Sequence, residues 1–259
     1  MAEKFSGGIE AQMKIKDMSD RVAIVTGASS GIGAAIARAF AEAEIKTVLA
    51  ARSADKLEAI AAEINTQGGT ALACATDITK EDQVVRLFET VMAAYGRVDI
   101  LVNNAGLADH IPTLDLSLAN WQRSIDVMLT GPFLCGREAM RVMVKQKRGR
   151  IINIGSVSSR RPRPDTIGYA AAKFGLHGIT QSMALDGREH GITVSIIDPG
   201  VTESHLSGAT GARPTRPATQ MMKAEEIAEI ALLIARLPDE TNLMEAFVLP
   251  VGMPFLGRA

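Results

Sequence analysis

Short runs of consecutive apolar residues alternate along this chain with longer stretches in which apolar positions recur every three or four residues. The runs are Val22-Ala23-Ile24-Val25, Thr47-Val48-Leu49-Ala50-Ala51, Ala71-Leu72-Ala73-Cys74-Ala75, Val98-Asp99-Ile100-Leu101-Val102, Arg150 to Gly155, Thr193 to Ile197 and Leu243 to Leu249. Each is short enough for a strand, and the segments between them carry the helical period. Helices are expected from about Gly31 to Glu44, up to Gly68-Gly69, after the cap-like Thr79-Lys80-Glu81-Asp82 (with Val84, Leu87, Phe88 and Val91 on one face), from about Leu118 to Lys147, from Tyr169 to about His190, and from Ala224 to Leu237. Strands that are apolar on both faces and separated by helices predict a doubly wound, Rossmann-type α/β fold: a parallel seven-stranded sheet with helices on both faces. No linker divides it, so residues 20–259 are expected to form one domain. Residues 1–19 precede the first strand as an extension with Gly7-Gly8 and scattered charges.

In such a sheet, ligands bind beyond the carboxyl ends of the strands. The residues unusual for their surroundings fall there: Gly27, Arg52, Asp77, Asn103, Ser156 and Pro199. The first strand closes into Thr26-Gly27-Ala28-Ser29-Ser30-Gly31-Ile32-Gly33, which opens an Ala-rich helix. Gly27 suits a turn at positive φ, Gly31 lets the backbone approach a ligand, and Gly33 lets helix pack closely on strand. Amides at that helix start suit a pyrophosphate.

Composition narrows the partners. The chain has 259 residues, 47% of them hydrophobic, with a formal net charge of −1. That balance argues against a nucleic-acid binder. The length suffices to bury a core without disulfide or metal. Cys74 and Cys135 lie inside apolar patterns and are expected as buried free thiols, which suits a reducing, cytoplasmic setting. No apolar run reaches the length of a membrane span, and no metal-ligand spacing is present.

Candidate chemistry begins at Tyr169-Ala170-Ala171-Ala172-Lys173, where a spacing of four puts phenol and ammonium on one helix face. A nearby cation favours phenolate and makes tyrosine a usable acid or base. Ser156, thirteen residues earlier, can hydrogen-bond the same substrate oxygen. With Thr26 to Gly33, Asn103 to Gly106, Ser156, Tyr169-x-x-x-Lys173 and Pro199-Gly200 in this order and spacing, the sequence resembles the short-chain dehydrogenase/reductase (SDR) family from about Arg21 to Leu249.

The resemblance implies hydride transfer between nicotinamide and a carbonyl or alcohol carbon. Tyr169 would be the acid/base, Lys173 would lower its pKa and hold the nicotinamide ribose, and Ser156 would orient the oxygen. It further implies that Gly27, Ser29, Ser30, Gly31, Ile32 and Gly33 cradle the pyrophosphate. Asp77 and Ile78 match the adenine-contacting pair, and Asn103, Ala105 and Gly106 line the adenosine ribose. Pro199, Gly200, Thr202 and Ser204 fall on the nicotinamide carboxamide side. An acidic residue ending the second strand would bind the ribose 2′-OH of NAD(H); here Arg52 follows Ala51 and can clasp a 2′-phosphate, so NADP(H) is expected over NAD(H). One departure stands out: Met128 occupies the position of the family asparagine that helps hold a relay water, and a thioether cannot replace an amide donor. The alternative function is therefore a cofactor-binding regulatory or scaffold protein with weakened catalysis.

Two stretches, Ser158 to Ile167 and Glu203 to Thr219, would flank the substrate. Their Arg160, Arg161, Arg163, Arg213 and Arg216 can meet an anion or be solvated. His110 would stand near the entrance, and Met221-Met222 would flank a lid or pack against the last helix. The resemblance also implies a homotetramer built on the helices Leu118 to Lys147 and Tyr169 to His190.

Overall fold

All seven apolar runs are strands, joined side by side in one parallel sheet of order β3-β2-β1-β4-β5-β6-β7. The computed structural model describes residues 18–203 and 218–253. The strands are β1 (Val22–Thr26), β2 (Lys46–Ala51), β3 (Ala71–Ala75), β4 (Ile100–Asn103), β5 (Gly149–Ile154), β6 (Ile192–Pro199) and β7 (Glu245–Val248). The helices are α1 (Gly31–Glu42), α2 (Ala54–Thr66), α3 (Glu81–Tyr95), α4 (Leu118–Ile125), α5 (Gly131–Gln146), α6 (Ile167–Gly187) and α7 (Ala224–Arg236).

The apolar content of the central strands follows from burial on both sides. One core, with Phe40, Leu49, Ile152, Ile197 and Ile227, lies where α1, α2 and α7 cover the sheet; the other, with Ile24, Leu87, Leu101, Met143 and Ile151, lies under α3, α5 and α6. The chain winds outward from β1 to β3, then returns to lay β4 on the other side of β1. Loops leaving β1 and β4 therefore run in opposite directions, opening a crevice between them at the carboxyl edge.

Several local expectations change. The helix expected over Leu118 to Lys147 passes through a π-helical turn at Asp126–Thr130. Pro132 has no N–H to return to Met128 four residues back, so the turn widens and the Gly131 N–H reaches Asp126 O instead. Thr79 does not cap α3: its N–H and hydroxyl both bond Asp77 Oδ1, and Lys80 holds the N-cap position. The helix begun near Tyr169 ends at Gly187 and tightens into a 3-10 turn at Arg188–His190. Cys74 is only half-buried, because β3 is an edge strand, whereas Cys135 is enclosed and its thiol is pushed up to about 12 by burial. Met18 belongs to the core although it precedes the first strand. Among the described residues no helix is long and apolar enough to cross a membrane, and no three His, Cys, Asp or Glu side chains are grouped to hold a metal.

Candidate active site

The glycine turn after β1 has the backbone its sequence requires. Gly27 (φ 66°) and Gly31 (φ 55°) occupy the left-handed region, where a side chain would be strained. A Cβ on Gly27 would also lie 2.7 Å from Ala105 Cα, and one on Gly33 would overlap the Gly27 carbonyl oxygen. Gly27 and Gly33 thus let β1, α1 and the loop after β4 pack against one another. At the N-terminus of α1, Ser30 makes no side-chain cap and the first turn carries no acidic residue. The first amides of that helix have no intrahelical partner, so Gly31, Ile32 and Gly33 present N–H groups at a positive dipole end. Ser29 and Ser30 sit half-buried beside them. An uncapped helix start of this kind fits an anion such as a pyrophosphate.

Asn104, which the sequence reading left without a role, fixes the cradle. Its side-chain amide donates to the carbonyls of Thr26 (3.0 Å) and Gly27 (3.3 Å), while Thr26 Oγ1 accepts from the Asn104 and Ala105 N–H groups. Asn103, by contrast, turns inward: its amide donates to Asn153 Oδ1 and Pro132 O, joining β4, β5 and α5. Ala105 and Gly106 are half-buried in the loop beyond, and a Cβ added at Gly106 would lie 4.0 Å from Met128 Sδ. Arg52 is exposed just past β2 and has no hydrogen bond or ion pair among the described residues. Asp77 commits one carboxylate oxygen to Thr79, and the Ile78 side chain is buried against Gly131.

The second half of the site gathers at the ends of β5 and β6 and the first turns of α6. Ser156 is buried; its Oγ accepts from the Ser158 N–H at 3.1 Å, and its own N–H donates to Asp198 Oδ1 at 2.8 Å. The spacing of four on α6 places the Lys173 ammonium 5.8 Å from the Tyr169 ring centroid, and Lys173 Nζ donates to Ile154 O at 2.7 Å. Burial holds the Tyr169 phenol above its ordinary pKa; hydrogen bonding with the Ser156 side chain and the positive charge of Arg163 pull it back, and Asp198 pushes it up. Arg163 thus adds a positive charge beside the phenol to that of Lys173, whose ammonium lies on the same helix face. Lys173 is itself driven down from 10.5 to about 8 by burial, with Asp198 pulling it upward.

Beyond β6, the Gly200 N–H bonds Val248 O, and Thr202 forms a bridge with Met222. Met222 is buried in the core, so it packs rather than flanking a lid. Ser204, Arg213 and Arg216 lie outside the described residues. Arg160 is ion-paired to Glu245 and stacks over Phe247 at 6.0 Å, which ties it to β7 rather than leaving it for a substrate anion. His110 is exposed. Asp198 and His177 also join this end of the site, although no motif marks them. A charged residue closing an otherwise apolar strand, and a histidine one further turn along the Tyr169–Lys173 face, were the available signals.

The model for the family described as short chain dehydrogenase matches residues 21–214. The chain is 37% identical, over 225 residues, to a 3-oxoacyl-[acyl-carrier-protein] reductase of Synechocystis, covering 85% of this chain and 91% of that protein. Among solved structures, a metagenomic short-chain oxidoreductase in complex with NADP superposes with a TM-score of 0.80 at 36% identity, covering 90% of this chain and 98% of the other. An alcohol dehydrogenase from the archaeon Thermococcus sibiricus, complexed with 5-hydroxy-NADP, gives 0.82 at 29% identity over 89% of this chain and 97% of its own. On a family match that spans most of the chain, and with the seven-stranded fold those relatives share, this protein belongs to the short-chain dehydrogenase/reductase family of oxidoreductases.

Proposed function

We propose that the protein interconverts a carbonyl and an alcohol on a small molecule with NADP(H) as the hydride partner. The observation that carries this reading is the placement of Ser156, Tyr169 and Lys173 at the same sheet edge as the uncapped N-terminus of α1. When bound, the nicotinamide supplies or accepts the hydride. Gly31, Ile32 and Gly33 would hold its pyrophosphate, and Thr202 and Gly200 would lie on its carboxamide side. Tyr169, whose burial keeps the phenol protonated at neutral pH, is a donor to a carbonyl oxygen that gains charge as its carbon is reduced. Ser156 offers a second hydroxyl to that oxygen, and its backbone is clamped, so little reorganisation is needed. Lys173 stands behind the phenol as an ammonium whose pKa is near the working range.

The preference for NADP(H) over NAD(H) rests on Arg52, an unengaged guanidinium at the end of β2, supported by the NADP complexes of similar structures. Asp77 and the loop from Asn103 to Gly106 would border the adenosine half. Initial rates with NADPH and NADH on a panel of ketones, aldehydes and secondary alcohols test the reading. Turnover with NADPH on one or more, abolished in Tyr169→Phe, is the expected result; tight cofactor binding with no turnover on any compound would favour a binding protein.

We also propose a homotetramer in the cytoplasm. Its support is the outer face of α5 and α6, where Phe133, Met140, Val144, Ile179 and Met183 line a groove of about 710 Å³ and Phe174 is exposed nearby. Arg137, Arg141 and Asp186 rim the groove, which suits association around an apolar centre.

A further inference from the structure

The carboxylate of Asp198, 1% exposed at the end of β6, is the centre of a polar cluster behind the catalytic loop. Its Oδ1 accepts from the Ser156 N–H at 2.8 Å and lies 3.3 Å from Ser159 Oγ; its Oδ2 lies 2.8 Å from His177 Nε2. Ser159 Oγ donates to Ser156 O at 2.5 Å and lies 3.0 Å from the same His177 Nε2. Both main-chain polar groups of Ser156 are therefore clamped, the N–H by Asp198 and the carbonyl by Ser159, and both clamps converge on one imidazole nitrogen.

The hydrogen inventory assigns that nitrogen. With the Ser159 hydroxyl directed at Ser156 O and Asp198 Oδ2 placed as an acceptor, the tautomer that satisfies both contacts is the one with the proton on Nε2. On the far side of the ring, Nδ1 is 3.9 Å from Glu245 Oε1, and Glu245 is held by Arg160. The histidine thus connects β7 and α6 to β6 and the Ser156 loop. This is not a hydrolytic triad: acid and serine address the same nitrogen, whereas a triad needs them on opposite ones, and Ser159 is 3% exposed.

We propose that His177 and Asp198 are positioning residues that hold Ser156 in the geometry for hydride transfer, a role resting on the oxidoreductase reading above. The physical reason is the cost of a buried carboxylate. In a site closed to water, Asp198 needs a donor on each oxygen. Remove the His177 donor and Oδ2 is left bare, so the carboxylate turns or recruits water and gives up the Ser156 N–H. Ser156 Oγ then moves by a fraction of an ångström, which is enough to misalign it with the substrate oxygen. His177 touches neither substrate nor cofactor in this account.

The test compares His177→Ala, His177→Gln and Ser159→Ala with the parent, all as full chains. Glutamine can place an amide N–H near the position of Nε2, so it is the rescue variant. With NADPH and whichever carbonyl compound of the panel the parent reduces fastest, His177→Ala is expected to lower kcat about tenfold to a hundredfold, with the NADPH dissociation constant within about twofold, and His177→Gln to restore most of it. Hydrogen-exchange mass spectrometry on the peptide spanning residues 155–160 should show faster exchange in His177→Ala and parent-like exchange in His177→Gln. Ser159→Ala, which leaves the Asp198 bonds to the Ser156 N–H and His177 but removes the clamp on the Ser156 carbonyl, should show exchange faster than the parent's and serves where His177→Ala proves too unstable to handle. Unchanged exchange in both His177→Ala and Ser159→Ala, or a His177→Gln protein as slow as His177→Ala, overturns the proposal. A parent that turns over nothing refutes the oxidoreductase reading, and the exchange comparison still decides whether His177 holds the Ser156 loop.

Discussion

The side-chain amide of Asn104 lies 3.3 Å from the carbonyl oxygen of Gly27 and 3.0 Å from that of Thr26, and it reaches both only because the turn beneath it carries no side chain. A Cβ on Gly27 would come within 2.9 Å of that amide nitrogen. The cradle is therefore held from β4, across the crevice, as much as by its own glycines. Asn104→Ala leaves two carbonyls without these donors and is expected to cost about 1–3 kcal/mol. At this chain length that lowers Tm by roughly 2–10 °C. NADPH affinity should fall with it, read by the quenching of protein fluorescence, and Gly33→Ala should reduce affinity further because its clash is with backbone. Unaltered NADPH binding in both variants would refute the assignment of this turn.

The proposed preference for NADP(H) is tested more directly at Arg52. An exposed guanidinium with no partner among the described residues can make a bidentate, charge-assisted contact with a phosphate, worth about 1.5–3 kcal/mol. Arg52→Ala should then raise KM for NADPH about tenfold to a hundredfold and leave KM for NADH within about twofold. Equal losses with both cofactors would show that Arg52 does not read the 2′-phosphate.

Lys173 carries a stability cost that its site demands. Its folded-state pKa of about 8 lies below the ordinary 10.5, so the folded protein binds that proton less tightly than the unfolded chain does. For a base depressed in this way, stability rises with pH between about 8 and 10.5, and below 8 the penalty is present in full. It amounts to at most about 3 kcal/mol at neutral pH. The bond to Ile154 O offsets about 1 kcal/mol of it. Lys173→Met is expected to be inactive yet more stable than the parent at pH 7 by about 1–2 kcal/mol, with the advantage shrinking above pH 8. Chemical denaturation at pH 7 and pH 9.5 checks this; a variant less stable than the parent at pH 7 would reverse the sign.

Much of this was legible in the sequence because the fold states itself twice, in apolar runs that only a doubly covered sheet can bury and in glycines that only a tight strand-to-helix turn requires. Arg52, Ser156, Tyr169 and Lys173 fall at strand ends or on one helix face, so their placement follows from the periodicity. What could not be read was contact at long range. Nothing in the chain places Asp198 beside Ser156, 42 residues earlier. Asn103 and Asn104 are adjacent and identical, and only the twist at the end of β4 decides that one braces the sheet and the other the cradle. The π-helical turn at Asp126–Thr130 was written in Pro132, but helical periodicity does not register a single widened turn.

The α5–α6 face gives the prediction on assembly. Ile179 and Met140 are only partly buried in the groove between these helices, so a charge placed there disturbs the folded chain little and an interface greatly. Ile179→Glu should elute as a smaller species than the parent in light-scattering-coupled sizing, with a Tm that no longer rises with protein concentration as the parent's does. Identical masses for parent and variant would place the interface elsewhere or remove it.

Met128 tests whether the departure from the family pattern is tolerated or limiting. The side chain is fully buried in the π-helical turn, with its sulfur near Gly106 at the edge of the site. Methionine offers no N–H there, so a proton leaving the Tyr169–Lys173 pair gains no amide donor to hold a water on its route. Met128→Asn restores that donor at the cost of apolar burial and a partly unsatisfied amide, about 2–4 kcal/mol of stability. The expected outcome is a less stable protein with a higher kcat, and a solvent isotope effect smaller than the parent's as proton release ceases to limit the rate. A fall in kcat, with NADPH binding intact, would mean that proton transfer does not pass this turn and that methionine is the better residue for its packing.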